Sequence, residues 1–520
     1  MQSSNAVPRS ITLSPRWWQP ARAGVAVLLA CGLMPQALAA TSNTLCDTVL
    51  SNTLRPSALP LDAPLPRWSV QQRMEEHKVP GVAIAMIRDG KVAYACGYGL
   101  RQTGGNEAVD ADTLFSVGSV SKVVTAATTL REVAAGRLAL DRSVNAYMKS
   151  WKIPPSGSYN PDSITLRMLM SHTAGLTVWG FDDFQPGEAL PTLLQTLDGI
   201  KPARNEPVRI DFAPGKRMRY SGGGVTIEQL VLQDTTGKSF ESIARESVFA
   251  PIGMPRSTFT NPLPATTDNV AHAHDKNGKA VALPTGWETF PEQAASGLWT
   301  NANELGAFVA TLLSAYAGNS DFLPQPIAVA MMSEVAPSQH GLGPRLEGEG
   351  STRIFHHGGS NDSYRAWIEG YPAHGDGFVI LTNAANGGRL AAEIRNGLSD
   401  VLDHGGNTLL RTITLPEAAL ADFAGEYVLQ TDLPMEVGGN MIGYFEHDRL
   451  SVSLTPSGLA LASADVKRQL QPLNPNRFIN PAADASQPRY EFLRDTSGKV
   501  NALLAQRDGG RVYFRRLPAG

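Results

Sequence analysis

The stretch Phe115-Ser116-Val117-Gly118-Ser119-Val120-Ser121-Lys122 runs directly into a segment where Val120, Val123, Val124, Ala127, Leu130 and Ala134 recur at intervals of three and four. Gly136 stands where a helix stop is expected. The spacing predicts a helix with Ser119 in its first turn and Lys122 three residues on, along the same face. That arrangement sets a hydroxyl beside an amine able to take its proton. The start of a helix also offers free N–H groups and a positive dipole end where an oxyanion can form. A serine placed this way can act as a nucleophile without a histidine partner. A serine near a helix start is also an ordinary cap, so the pair gains its weight from the rest of the chain.

With 520 residues, 42% apolar and 18% charged, the chain is globular and long enough for more than one domain. Residues 1–40 contain Arg9, Arg16 and Arg22 and no acid, so a net charge of −3 leaves −6 for the remainder. No Lys/Arg run or basic stripe is present, which argues against a nucleic-acid partner. Residues 1–39 read as an export signal: a basic region ending at Arg22, an apolar run from Ala23 to Met34, and the small-x-small pattern Ala37-Leu38-Ala39. The apolar run is too short to span a bilayer. Leu28-Leu29-Ala30 before Cys31 raises a lipid-anchor alternative, disfavoured by the bulk of Leu29. The expected location is therefore periplasmic or secreted. Cleavage after Ala39 leaves Cys46 and Cys96, which could pair in an oxidising compartment; spacing alone does not place them together.

Residues 40–67 read as an irregular segment, followed by a helix over Trp68 to Lys78. Val82 to Ile87 is an apolar run of strand length, Asp89-Gly90 is a hairpin signal, and Lys91 to Tyr98 returns as the partner strand. A helical and loop region extends from Leu140 to about Thr260, and strands resume near Gly341. Arg365 to Tyr371 and Gly377 to Asn383 form a second strand pair, closed by a helix over Leu390 to Leu402. Early and late strands thus form one antiparallel sheet with helices inserted between them, an α+β pattern. From residue 410 to 520, short alternating runs such as Tyr427-Val428-Leu429, Leu450 to Leu454, Tyr490 to Leu493 and Arg511 to Arg515 sit between Gly, Pro and Asp turns. They predict a separate β-barrel or sandwich, read as an accessory or binding domain.

Two further elements carry chemistry. In Pro214-Gly215-Lys216-Arg217-Met218-Arg219-Tyr220-Ser221-Gly222-Gly223-Gly224, a tyrosine precedes a glycine run, so a phenol is expected on a sharply turning loop. Nearby cations would favour its ionised form and make it a proton carrier. In Phe355-His356-His357-Gly358-Gly359-Ser360, strand glycines would let a substrate backbone lie alongside, and a nearby N–H could complete an oxyanion hole.

These three elements, in this order, resemble the serine β-lactamase and penicillin-binding family, with its Ser-x-x-Lys helix, Tyr-x-Asn loop and Lys- or His-x-Gly strand. The closest resemblance is to the class C β-lactamase-like branch, which includes D-aminopeptidases, D-Ala-D-Ala carboxypeptidases and esterases. Leu169 to Leu176, Ala295 to Thr300 and Val379 to Asn383 agree with it, and it covers roughly Trp68 to Leu402, within a domain expected over residues 68–405. The resemblance implies a serine β-lactamase/DD-peptidase-like domain, and its C-terminal tail is similar to the lipocalin-like domain some members carry. It implies Ser119 as the acylated nucleophile, Lys122 as its activating amine and Tyr220 as the proton shuttle. His357, Gly358 and Gly359 would form the strand wall, the N–H groups of Ser119 and Ser360 the oxyanion hole, and Gly222 would stand with them among the substrate-binding or oxyanion residues. No metal or organic cofactor is implied. The substrate would be a small molecule or peptide, cell-wall-derived peptides among them, with no stable membrane span.

The chain departs from that pattern twice. Gly222 stands where the family loop usually has Asn, so no side-chain amide is available there to bind substrate. His357 replaces the β-lactamase Lys and would donate to a carboxylate with charge only when protonated. Both departures favour an amide or ester, D-amino-acid peptides or esters ahead of β-lactams. The rivals are an esterase or weak β-lactamase, and a penicillin-recognising sensor with little turnover. His172 reads as a structural hydrogen bonder. Ala271-His272-Ala273-His274-Asp275 hints at a metal-dependent hydrolase but lacks further ligands of the right kind. Residues 181–207 read either as a pocket wall or as a solvated loop.

Overall fold

The computed structural model describes residues 46, 48, 50–404, 409–431, 433, 434, 437, 439, 448–463, 466–481, 489–507 and 510–518. The export signal and Cys31 lie outside them. The segment read as irregular contains a short strand, β1 (Ala58–Pro60). It pairs in parallel with residues 410–412, a partner too distant in sequence for local pattern to reveal. Cys46 is disulfide-bonded to Cys96.

The first helix, α1 (Val70–His77), starts at a capping box: Ser69 Oγ accepts from Gln72 N while Gln72 Oε1 accepts from Ser69 N. The expected hairpin follows as β2 (Gly81–Arg88) and β3 (Lys91–Gly99), joined through Asp89 and Gly90 at φ 49° and 70°. Two consecutive left-handed residues suit a two-residue turn between twisted strands. Next come β4 (Phe115–Ser116), a 3-10 turn at Gly118–Val120 and α2 (Ser121–Ala134). After α3 (Gly222–Thr236) the chain forms β5 (Trp299–Thr300), which pairs with β4, and then α4 (Ala302–Tyr316).

The late strands are β6 (Arg345–Glu347), β7 (Ile354–Ser360), β8 (Arg365–Tyr371) and β9 (Asp376–Thr382), closed by α5 (Gly387–Val401). They join the hairpin in a six-stranded antiparallel sheet of order β3-β2-β9-β8-β7-β6. Val82 pairs with Thr382 and Ile84 with Ile380, so the expected union of early and late strands is present. Successive side chains of β2 enter different cores. Ala83, Ala85 and Ile87 belong to the cluster with α2 and α4, whereas Val82, Ile84 and Met86 pack with α1 and α5. Helices on both faces explain why β2 reads as an unbroken apolar run.

Beyond β10 (Leu410–Thr412), eight strands close an antiparallel barrel: β11 (Gly425–Leu429), β12 (Arg449–Thr455), β13 (Gly458–Ser463), β14 (Val466–Pro472), β15 (Arg477–Ile479), β16 (Arg489–Arg494), β17 (Val500–Arg507) and β18 (Gly510–Arg516). Closure comes from β11 pairing with both β12 and β18, which leaves no open edge. Tyr427, Leu450, Leu461, Phe478, Tyr490, Phe492 and Phe514 are buried in one cluster. Strand β14, with the sequence Val-Lys-Arg-Gln-Leu-Gln-Pro, lacked the apolar alternation that marked its neighbours.

One buried polar group lies at the junction of β8 and α5. Glu369 is fully buried and accepts from Arg395 Nε at 2.5 Å, Trp367 Nε1 at 3.0 Å and the Tyr371 hydroxyl at 2.6 Å. Removing the carboxylate would leave Arg395 buried and uncompensated, a change that typically costs about 3–5 kcal/mol. Glu369→Ala is therefore expected to lower unfolding free energy by about that amount in urea titrations. A loss no larger than that of an exposed substitution would contradict the assignment.

Candidate active site

Ser119 lies in the 3-10 turn that leads directly into α2, two residues before the α-helix begins. Lys122, in the first turn of α2, carries the amine. Its Nζ donates to Ser119 Oγ at 3.0 Å and to Ala295 O at 2.7 Å. The segment supplying Ala295 is fastened to α2: Thr125 Oγ1 donates to Ala294 O at 2.8 Å, and Leu298 N donates to Ser121 Oγ at 3.0 Å. The Ala295 to Thr300 stretch singled out in the sequence thus holds the lysine in place. Lys122 is buried while Ser119 is only part-buried, which suits an internal base behind a reachable nucleophile.

The strand glycines have a measurable reason. A Cβ on Gly359 would sit 1.9 Å from Val117 O and 3.3 Å from Ser119 N, and one on Gly118 would sit 2.7 Å from Ser360 N. Gly118 also has φ 49°, which L side chains rarely adopt. Backbone therefore packs directly on backbone where the turn meets β7, and this brings the amides of Ser119 and Ser360 together. Asn361 Nδ2 donates to Ser116 Oγ at 2.6 Å and fixes the end of β7 to β4.

Tyr220 ends a loop, as expected, but the glycines after it form the first turn of α3. Ser221 caps that helix, its Oγ accepting from Gly224 N at 2.9 Å and donating to Thr177 O at 2.7 Å. Gly222 N and Gly223 N donate to Trp179 O and Val178 O, each at 3.1 Å. A Cβ on Gly222 would meet the Phe181 ring at 2.9 Å. The glycine run therefore seats the 177–181 segment, and the Gly222 N–H is committed to Trp179.

Tyr220, His172, Arg345 and Lys122 are buried together. The His172 ring lies 4.3 Å from the Tyr220 ring, and His172 Nδ1 accepts from Ser221 N at 3.2 Å. His172 therefore carries its proton on Nε2 and clamps the tyrosine segment, the structural role expected of it. Burial pushes the Tyr220 phenol up. Lys122, Arg345 and hydrogen-bonding reach from Ser119 and Lys122 outweigh that burial and bring it below its ordinary value. The phenol oxygen nonetheless makes no hydrogen bond of full quality. Burial lowers Lys122, Tyr220 opposes the shift, and Arg345 adds to it. A lysine held below its usual value can accept a proton near neutral pH.

His357 sits in β7 with its ring centroid 6.2 Å from that of Tyr220. Burial, then Arg345 and Lys122, hold its imidazole well below the ordinary value, so it is neutral. Its Nδ1 lies 2.7 Å from Gly358 O, which can only accept, so Nδ1 carries the proton and Nε2 is an acceptor. His357 thus brings no positive charge of its own to the pocket. The positive charge comes instead from Arg345, whose guanidinium lies 5.3 Å from the Tyr220 ring centroid. Nothing in the sequence around Arg345 marked it, because strand pairing of β6 with β7 delivers it to the site. Trp179, 53% exposed and 5.8 Å from the Tyr220 ring, was equally unmarked.

The barrel domain reaches this site. Met218 and Tyr220 share a buried cluster with Leu420, Phe423 and Tyr427, and the Arg217 guanidinium donates to Leu433 O. His274, from the candidate metal motif, has both ring nitrogens engaged, one with Asn383 O at 2.9 Å and one with Thr103 N at 3.0 Å. Its place is structural.

A penicillin-binding protein 4 from Amycolatopsis lactamdurans is 30% identical over 220 residues, 42% of this chain and 55% of that protein. Esterase EstB from Burkholderia gladioli is 26% identical over 54% of this chain and 75% of its own. The chain thus spans little more than half of the first relative. The crystal structure of SurE with D-Leu superposes with a TM-score of 0.55 at 21% identity, over 86% of this chain and 97% of that one, a likeness of fold. The family profile described as Beta-lactamase matches residues 69–401, and the chain belongs to the beta-lactamase family.

Proposed function

We propose that this protein is an exported serine hydrolase that cleaves a small amide or ester through an acyl-enzyme on Ser119. D-Amino-acid peptides and esters are the favoured substrates. The observation that carries the reading is the 3.0 Å contact between Lys122 Nζ and Ser119 Oγ inside a buried cationic pocket. Lys122 takes the Ser119 proton as Oγ bonds to the substrate carbonyl carbon. The resulting oxyanion is met by the amides of Ser119 and Ser360, where loss of one donor typically costs ~10²–10³ in rate. Tyr220 carries a proton to the leaving group as the bond to it breaks. It then takes a proton from the water that attacks the acyl carbon, and Lys122 returns its proton to Ser119 Oγ as the bond to that oxygen breaks. The branch-level assignment to class C-like enzymes rests on sequence resemblance. Export is supported by the leader-like residues 1–39 and by the Cys46–Cys96 disulfide.

Similarity to a penicillin-binding protein favours a second reading, in which the protein acylates and releases product slowly. A burst without steady-state turnover marks that case. The direct test compares a nitrophenyl acetate ester with a D-alanine amide in wild type and Ser119→Ala. Ser119→Ala is expected to lose at least ~10³-fold in turnover of any productive substrate while its unfolding midpoint stays unchanged. Retained turnover sinks the mechanism.

The electrostatics fix a second expectation. Lys122 must be neutral to act, so activity should be lost as pH falls through its lowered value and should plateau above it. Arg345 helps keep Lys122 low, so Arg345→Gln should move this acid limb of kcat/KM to higher pH. A limb that stays in place or moves lower would show that Arg345 does not set the base.

A further inference from the structure

Trp179 is 53% exposed, and its ring centroid lies 5.8 Å from that of Tyr220 with the planes tilted by 49°. A lone exposed apolar side chain is ordinary on a protein surface. Its neighbours and the backbone beneath it set this one apart. The Tyr220 ring has His172 at 4.3 Å, His357 at 6.2 Å, Lys122 Nζ at 5.1 Å and the Arg345 guanidinium at 5.3 Å from its centroid. All four of these residues are buried. Among the described residues, Trp179 is the one ring beside Tyr220 that faces solvent. The Tyr220 phenol is within hydrogen-bonding reach of Ser119, so Trp179 stands one ring away from the group that serves the nucleophile.

The backbone under the indole is strained and firmly held. Val178 has φ 62°, a region that β-branched residues very rarely enter. Its own side chain is buried in the core cluster that contains Leu169 and Leu176, so the reversal at Val178 separates a buried side chain from an exposed one. On one flank Thr177 N donates to Arg209 O at 2.9 Å, and Thr177 Oγ1 donates to Pro207 O at 2.8 Å. On the other flank Val178 O and Trp179 O accept from Gly223 N and Gly222 N, each at 3.1 Å. Backbone strain of this kind persists where the surroundings over-determine it, and it gathers at ligand sites. Capping of α3 accounts for the path of the two carbonyls, but it asks nothing of the side chain at 179. A polar residue would meet that need without exposing an indole to water.

We propose that the Trp179 indole is a stacking platform that selects substrates carrying a flat apolar group, such as an aryl ring, close to the carbonyl that Ser119 attacks. The proposal deepens the hydrolase reading and rests on it for the position of that carbonyl. An indole face offers a large contact area and favours offset or tilted stacking. Its base is already fixed, so no backbone ordering is lost when a ligand covers it. The flat group can belong to the acyl part or to the leaving group, and the same stacking chemistry receives either.

The test measures kcat/KM for methyl acetate, methyl phenylacetate and benzyl acetate in wild type, Trp179→Ala and Trp179→Phe. Each aryl ester is taken as a ratio to methyl acetate within one protein, and comparing that ratio between proteins cancels the intrinsic reactivity of the esters. Trp179→Ala is expected to lower the ratio at least about tenfold for one of the two aryl esters, and Trp179→Phe to keep most of it. A loss on methyl phenylacetate places the platform on the acyl side; a loss on benzyl acetate places it on the leaving-group side. Ratios unmoved for both aryl esters in Trp179→Ala overturn the proposal. The side chain is exposed and the bond from Gly222 uses the backbone carbonyl, so the variants are expected to keep the wild-type unfolding midpoint. If wild type turns over none of the esters, the hydrolase reading fails and the platform is read by binding alone. Saturation-transfer NMR then compares phenylacetamide on Ser119→Ala with the same protein carrying Trp179→Ala as well. Transfer to the phenyl protons that disappears with the indole retains the platform, and transfer unchanged without it overturns the platform.

Discussion

The site depends on one close approach: the backbone turn at Val117–Ser119 lies directly against the β7 backbone at Gly359 and Ser360. A Cβ on Gly359 would overlap Val117 O at 1.9 Å, and one on Gly118 would crowd Ser360 N at 2.7 Å. No side chain separates the two segments, so the backbone around Ser119 lies directly on the backbone at Ser360. Everything else around the nucleophile preserves that approach. Asn361 fastens β7 to β4, β4 pairs with β5, and the residues before β5 hold Lys122 and α2. The six-stranded sheet behind β7 is buried on both faces, which gives the strand a rigid backing.

Charge is arranged on the same principle of exclusion from water. Lys122, Tyr220, His357, His172 and Arg345 are all buried, so each strongly influences the others. Histidines that might have been additional bases are held neutral, with His357 bonded to Gly358 O and His172 accepting from Ser221 N. The barrel domain contributes to this enclosure from outside, since Met218 and Tyr220 are buried with its residues. A second domain that covers Tyr220 is part of the chemical environment of the buried cluster.

The legible part of the sequence was local. The hairpin at Asp89-Gly90, the Ser119–Lys122 spacing and the glycines of β7 each follow from short-range chemistry, and each lies where the pattern placed it. What local pattern missed arrives through pairing at a distance. Arg345 enters because β6 pairs with β7, β1 forms only because residues 410–412 lie beside it, and β14 is polar but closes a barrel all the same. The neighbours of Gly222 were hidden for a related reason. Glycine there answers to the ring of Phe181 and the carbonyl of Trp179, neighbours in space that its own sequence window does not contain.

The central claim is that Ser119 alone becomes covalently acylated. The most direct measurement is mass spectrometry of the intact and digested protein after exposure to an active-site serine phosphonate, with Lys122→Ala treated in parallel. The account predicts one adduct per chain, located on the peptide that contains Ser119, and strongly slowed labelling when Lys122 is removed. Labelling at another residue, or equal rates with and without the Lys122 amine, would contradict it.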